Sequence, residues 1–383
     1  MIKPESTQIY CVIMRCGTSK GIFLNENDLP QDPDIRDRVI LSIFGSPDPR
    51  QIDGLGGADM LTSKLALISP PSRPDADVDF SFGQVELTEP EIYYDGLCGN
   101  ISSGVGTYAI EEGLVRAVEP VTSVRIFSRN TNQIYITEVP VRDGRPIIAG
   151  DYAIAGVPGT GAQIQIDMAG TVGSRTGKLL PTGNPIDKLD IKGFGLLDVS
   201  LLDVVNPCIF VRAADIGMNG DEKPSDVNGN ESFMTLIDNI RIAACAKMEL
   251  TGWELKNPTP FVVFVSSPKD YIDHLTGRKI SADQVDFLAR MIILREMHQT
   301  YAGSVGCVTG MAGIVPGTVA HEISKPAPGQ KIIRIGHPAG IIDVEAECDI
   351  TENGVTARRV TYSRTARRIM EGYVYVPNSV LQP

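Results

Sequence analysis

Histidine and tryptophan are scarce in this chain, with four histidines and one tryptophan among 383 residues. His274, His298, His321 and His337 lie at no metal-ligand spacing, so a histidine-based metal centre is not expected. The seven cysteines (Cys11, Cys16, Cys98, Cys208, Cys245, Cys307 and Cys348) are odd in number and scattered, with no CxxC pair. That points to reduced thiols rather than a disulfide framework. Basic charge is in deficit: 35 Lys and Arg face 47 Asp and Glu, a net charge of -12. Nucleic acid and anionic membrane both need a basic field, so neither is an expected partner. No apolar run reaches membrane-spanning length, and "MIKPESTQIYCVIMRCG" lacks a charged segment followed by a long apolar core. The expected location is the cytoplasm. GxxxxGK[ST], GxSxG and a strand-associated GxGxxG with a downstream acid are all absent, which removes the usual nucleotide and serine-hydrolase signals.

What is present is a grammar of short strands. "IYCVIMR" from Ile9, "VDFSFGQVEL" from Val78, "SVRIFS" from Ser123, "IYITEVPV" from Ile134 and "AQIQIDM" from Ala162 alternate as half-buried strands do. Two helices interrupt them. In "DIRDRVILSIFG", Ile35, Val39, Ile40, Ile43 and Phe44 share a face; the other helix runs from about Ile101 to Gly113. Glu111 and Glu112 in its last turn carry the wrong sign for the helix dipole, so burial, not charge, is expected to hold it. The second half repeats the pattern, with strands at "LDVSLLDVV", "NPCIFVRA", "TPFVVFVSS", "KIIRIGHP", "GIIDVEAECDI" and "TARRVTYS". Helices are expected at "ESFMTLIDNIRIAACAKM" and "ADQVDFLARMIILREMHQT", followed by another small-residue helix entry, "YAGSVGCVTGMAGIVPG". This is an internal repeat of layout, two α+β lobes of 1–184 and 185–383, the punctuation at Pro181, Gly183 and Pro185 marking the boundary. The last strand is free to cross back to the first lobe.

Four glycine-rich segments stand apart: "MRCGTSKGIF", "DGLGGADMLTSK", "GLCGNISSGVG" and "TGKLLPTGN". Glycine and short hydroxyl residues let backbone N–H groups crowd round an anion, although each segment taken singly also reads as a turn. Cys98 sits at the mouth of a helix, where unpaired N–H groups stabilise anions and thiolates; a small buried hydrophobe is its other reading. Lys64 opens "KLALI" directly after a glycine-rich turn. A lysine entering a buried segment is a candidate base; the alternative is a side chain that reaches back to water. The neighbours of Cys307, namely Val305, Val308 and Met311, read as core.

Taken together, "MRCGTSKGIF", "RQIDGLGGADMLTSK", "CGNISSGVGTYAIEEGLV", "GKLLPTGNPID", "GHPAG" and "SRTARRIMEG" resemble the PrpF family from about Ile9 to Pro377, in the family's order. The resemblance implies a diaminopimelate-epimerase-like α+β fold, each lobe a curved sheet round a central helix. It implies an active site in the cleft between the lobes, with no cofactor and no metal. It places Lys64 at the base position and Cys98 at the cysteine of "CGN", departing from the epimerase branch with its two facing cysteines; whether Cys307 faces the site is open. The implied chemistry is allylic proton abstraction from an unsaturated di- or tricarboxylic acid, giving a dienolate that is reprotonated at its other end. Lys64 is then the base and Cys98 the acid. Thr18, Ser19, Gly99, Asn100, Ile101, Thr182, Gly183, Asn184 and His337 are the expected substrate contacts, with Arg15 as a source of positive charge or a structural residue. Within the family, "FGSPDPRQIDGLGGAD", "SRTGKLLPTGNPID" and "DVVNPCIFV" are most similar to the branch that converts methylitaconate to 2,3-dimethylmaleate. Tautomerisation of 4-oxalomesaconate and isomerisation of 2-methylaconitate or aconitate are the alternatives. A non-catalytic tricarboxylate-binding protein is the alternative of another class, disfavoured by the presence of both Lys64 and Cys98. Exposed strand edges are compatible with a homodimer or higher homo-oligomer.

Overall fold

The computed structural model describes residues 5–94, 96–250, 252, 259–293, 295–352 and 354–382. The chain forms two compact units, Met1–Ile166 with Arg364–Pro383, and Asp167–Ser363. The division therefore falls after Ile166, ahead of the Pro181–Pro185 punctuation. The intervening segment folds onto the second unit, where Asp203 accepts hydrogen bonds from the Arg175 and Thr176 backbone.

In the first unit, β1 (Ser6–Cys16) and β2 (Ser19–Asn25) form an antiparallel hairpin that closes at Cys16↔Ser19. The other edge of β1 carries the C-terminal strand Ala366–Pro377, antiparallel. After helix α1 (Pro33–Phe44), β3 (Lys64–Ser69) runs parallel to β2, and β4 (Val78–Val85) antiparallel to β3. Short β5 (Ile92–Tyr93) pairs with β4, and helix α2 (Gly99–Glu111) follows. Then β6 (Val121–Ser128) runs parallel to β4, and β7 (Gln133–Arg142) antiparallel to β6. The two helices take opposite faces because side chains alternate along a strand. Phe23 meets Tyr108 of α2 with ring centroids 5.3 Å apart, whereas Ile22 and Leu24 join Val39, Ile40, Ile43 and Phe44 of α1. Ile35 packs against the same cluster, as its spacing predicts.

Strands β1 to β4, β6, β7 and Ala366–Pro377 all touch α2, so the sheet curves round this helix. Such closeness requires small residues. A Cβ at Gly104 would lie 2.3 Å from Cys16 Sγ, and one at Gly106 2.1 Å from Thr137 Oγ1. Charge also contributes at the helix end, contrary to the expectation of burial alone. Arg368 binds Glu111 at 2.8 Å and Glu112 at 2.6 Å, compensating two carboxylates beside the negative end of the dipole.

The second unit repeats this order of pairings. Gly195–Val204 and Asn206–Arg212 form the hairpin, the helix Glu231–Lys247 follows, and Phe261–Ser266 runs parallel to Asn206–Arg212. Phe287–Ile293 is antiparallel to that strand and carries short Glu296–Met297; the helix Gly303–Ile314 comes next. Ile332–His337 is then parallel to Phe287–Ile293, and Gly340–Thr351 antiparallel to Ile332–His337.

The helix expected over "ADQVDFLARMIILREMHQT" is not formed. A 3-10 turn at Ala282–Gln284 leads into the strand Phe287–Ile293. A strand covered on both faces is apolar throughout, and its run cannot be told from a buried helix by periodicity. Arg290 fits there because its guanidinium donates to the carbonyls of Glu222, Ala289 and Gly336.

Candidate active site

The hairpin turn Gly17–Thr18, the start of β3 and the start of α2 meet in the first unit. Gly17 has φ +54°, and a Cβ there would lie 2.2 Å from Asn100 Oδ1, so the turn backbone rests against the first turn of α2. Gly21 on β2 permits a similar approach: its Cβ would come within 2.8 Å of Ile101 Cδ1 and 3.1 Å of the Lys64 carbonyl oxygen. A single glycine therefore brings the backbone of Lys64 and the N-terminus of α2 to the same place.

Cys98 is the N-cap of α2, half-buried, with its side chain making no capping hydrogen bond. The first intrahelical bond runs from Ser102 N–H to the Cys98 carbonyl at 2.9 Å. Asn100 and Ile101 are thus first-turn residues whose N–H groups have no intrahelical acceptor. Lys64 is only 8% exposed. Its Nζ donates to Gln84 Oε1 at 2.8 Å and lies 5.3 Å from the centre of the Phe82 ring.

The expected contacts divide into two groups. Ser19 is 2% exposed, and its hydroxyl has no hydrogen-bond partner among the described residues, a costly state for a buried polar atom. Thr18 Oγ1 accepts from Asn100 Nδ2 at 2.9 Å, while Asn100 Oδ1 accepts from Arg364 Nε at 3.1 Å. The Asn100 amide therefore orders the helix mouth. Arg15 donates to the Gly17 carbonyl at 3.1 Å and the Thr365 carbonyl at 2.8 Å, bracing the turn, and burial lowers its pKa. Sequence reasoning missed Arg364, which is 5% exposed, because its contact with Asn100 spans 264 residues. It also missed Gln84, whose place opposite Lys64 depends on the β3–β4 register.

In the second unit the side chains of Thr182 and Asn184, expected to bind an anion, are hydrogen-bonded to a carboxyl group of the chain itself. Asp187 accepts from Thr182 Oγ1 at 2.6 Å and from Asn184 Nδ2 at 3.2 Å, with Gly183 turning the backbone at φ +80°. Just upstream, Asp203 accepts from Ser174 Oγ, the Arg175 and Thr176 N–H groups and Thr176 Oγ1. The chemistry read from "TGKLLPTGN" is present, but the carboxylates are internal. The "DGLGGADMLTSK" loop likewise folds on an internal side chain, buried Gln51, whose Oε1 accepts from Ala58 N–H at 2.8 Å and Ser63 Oγ at 2.6 Å. His337 is 3% exposed, accepts from Ala339 N–H and stacks on Tyr301.

Cys307 is fully buried inside Gly303–Ile314, with Sγ 4.0 Å from the Val360 carbonyl. The N-cap matching Cys98 is Ala302, and the residue matching Lys64 in the parallel pairing is Phe261. Only the first repeat carries the amine and the thiol at these positions. Among the described residues no group of three or more His, Cys, Asp or Glu is placed to hold a metal ion, and no helix is long and apolar enough to cross a membrane.

The chain is 49% identical to 3-methylitaconate isomerase of Eubacterium barkeri over 98% of its own length and 99% of that protein's. The crystal structure of a methylitaconate-delta-isomerase superposes with a TM-score of 0.90 at 48% identity, covering 99% of this chain and 98% of that one. A hydroxyproline epimerase from Agrobacterium vitis shares the fold, with a TM-score of 0.54 at 13% identity over 98% of this chain and 94% of that one. The epimerase-type α+β fold is thus common to all three. The family described as PrpF protein matches residues 6–377, which include the Gly17–Thr18 turn, Lys64, the Cys98 cap and Arg364, and the chain belongs to that family.

Proposed function

We propose that this protein is a cofactor-independent isomerase that shifts the C=C bond of an unsaturated carboxylic acid, taking methylitaconate to 2,3-dimethylmaleate. The observation that carries the reading is the buried Lys64 at the foot of β3, whose backbone meets the same glycine, Gly21, as the first turn of α2, with Cys98 at the N-cap position of that helix. Near full-length identity of 49% to 3-methylitaconate isomerase supports the substrate.

In the proposed reaction the Lys64 amine, acting as the base, removes the allylic proton that the adjacent carboxylate also acidifies. The C–H electron pair enters the π system and charge spreads onto a carboxylate oxygen. The N–H groups of Asn100 and Ile101 in the first turn of α2 stabilise that oxygen more as its charge grows, which lowers the barrier rather than merely tightening binding. Cys98 returns a proton to the terminal methylene, which becomes the new methyl group. Ser19 and Thr18 hold the second carboxylate. Thr182, Gly183, Asn184 and His337 receive structural tasks in this reading, since the side chains of Thr182 and Asn184 bind Asp187 and the His337 ring is packed on Tyr301. The proposed compartment is the cytoplasm.

The test is incubation in D₂O with methylitaconate, 2-methylaconitate, cis-aconitate and 4-oxalomesaconate separately, followed by proton NMR. Methylitaconate is expected to show both double-bond migration and deuterium at the new methyl group, with the highest kcat/KM of the four. Lys64→Ala is expected to lower turnover by about 10²–10⁴-fold with an unchanged circular dichroism spectrum. Turnover of 4-oxalomesaconate alone would reassign the enzyme as a tautomerase. Saturable binding of any acid without exchange would make it a binding protein.

A further inference from the structure

A lysine that serves as a base must be held still and must also be able to lose its proton. The surroundings of Lys64 separate these two demands. Its Nζ donates to Gln84 Oε1 at 2.8 Å, and Phe82 lies beneath it, but among the described residues no carboxylate forms an ion pair with it. Gln84 is itself fixed. It stands directly opposite Lys64 in the β3–β4 register, and its Nε2 donates to the Ser63 carbonyl at 3.1 Å and the Met60 carbonyl at 3.2 Å. Reversing the carboxamide would set its NH₂ against the ammonium and its oxygen against two carbonyls, so its donors and acceptor admit one orientation.

We infer that Gln84 is the positioning residue of the base: it pins the Lys64 amine through a neutral acceptor while keeping negative charge away from it. This rests on the reading of Lys64 as the base. An amide oxygen accepts from an ammonium and, more weakly, from a neutral amine, so the hydrogen bond persists when the proton leaves without the charge preference a carboxylate would impose. With one N–H engaged, the lone pair of the neutral amine is confined to the remaining directions. A glutamate in the same place would hold the amine as well but would stabilise its protonated form. The other titratable groups on the surrounding elements are Asp59 ahead of β3, Lys20 on β2, Tyr10, Cys11, Arg15 and Cys16 on β1, Asp79 on β4, Tyr93 on β5 opposite Gln84, and Cys98, Tyr108 and Glu111 at the start and along α2. None is hydrogen-bonded to the Lys64 amine.

The experiment compares wild type, Gln84→Glu, Gln84→Met and Lys64→Ala by the pH profile of kcat/KM. In parallel, the rate at which acetic anhydride acylates Lys64 is followed against pH by peptide mass spectrometry, a readout that needs no turnover. Gln84→Glu is expected to move the acidic limb and the acylation profile up by about one pH unit or more, roughly tenfold less active per unit below the limb, with activity returning in alkali. Gln84→Met, similar in volume but lacking the acceptor, is expected to lose about tenfold or more in kcat with KM little changed and a limb no higher than wild type. It decides the matter if Gln84→Glu does not fold. Coincident profiles for Gln84→Glu and wild type, or wild-type kcat in Gln84→Met, overturn the inference. Activity in Lys64→Ala with a shifted acylation profile in Gln84→Glu would instead overturn the base reading and leave the hold on the amine standing.

Discussion

Seven thiols of one chemistry occupy different environments. Burial pushes the Cys16 thiol far up, opposed by the Arg15 charge, and Cys208 is raised by burial and then by Asp203. Cys348 is half-buried and is raised by burial and then by Asp349, whereas Cys98 caps α2 with some of its surface open. Because the thiolate is the reactive form and must also be reached, brief treatment of the native protein with iodoacetamide at mildly alkaline pH is expected to modify Cys98 first and Cys348 more slowly. Cys16 and Cys208 should react only after unfolding. Peptide mass spectrometry reads the order, and loss of turnover should follow Cys98; labelling of Cys16 as fast as Cys98 would show that the helix mouth is not the accessible thiol site. Lys64 and Cys98 stand out in the sequence because each lies at a change of pattern, a glycine turn entering a strand or a helix, and the family resemblance supplied the roles proposed for them. Gln84 and Arg364 do not stand out, since nothing local to them marks the partner that register and chain return supply.

At the scale of elements, α2 sets the tolerance of the first unit. Glycine in a helix interior costs roughly 1 kcal/mol relative to alanine, so Gly104 is unfavourable until the sheet closes on it. Its use is contact: Cys16 Sγ occupies the space a Cβ would need. Gly104→Ala, which would stabilise an isolated helix, is therefore expected to destabilise the protein by about 1–3 kcal/mol. Equilibrium urea unfolding measures this, and an unchanged midpoint would mean that the sheet yields. The misread segment 282–300 has the same origin. Phe287–Ile293 is covered on both faces, so the alternation that identifies a half-buried strand is erased by the packing.

The two units share one order of pairings but not one set of side chains. A symmetric two-thiol site would need a cysteine where Ala302 caps Gly303–Ile314, and Cys307 lies inside that helix against Val360. Cys307→Ala is accordingly expected to keep kcat within about twofold while lowering stability by roughly 1 kcal/mol, the cost of removing one small buried group. Cys98→Ser should do the reverse, leaving the melting temperature nearly unchanged and depressing turnover. Paired melting and kinetic measurements separate these outcomes, and a large kcat loss in Cys307→Ala would place a second functional thiol in the other repeat.

Alternating strands, the α1 face of Val39, Ile40, Ile43 and Phe44, and the doubled layout were determined by the sequence alone, while the roles proposed for Lys64 and Cys98 came from the family resemblance. The former follow from periodicity and from residue types at element boundaries, which are local quantities. Tertiary structure decided that Thr182 and Asn184 hold Asp187, that Arg368 neutralises the end of α2, that Cys307 is core, and that Gln84 faces the amine. Each of these depends on which distant group fills a donor, an acceptor or a void. A polar side chain shows in its sequence that it must be satisfied, but the partner that satisfies it is set only when the strands have found their register.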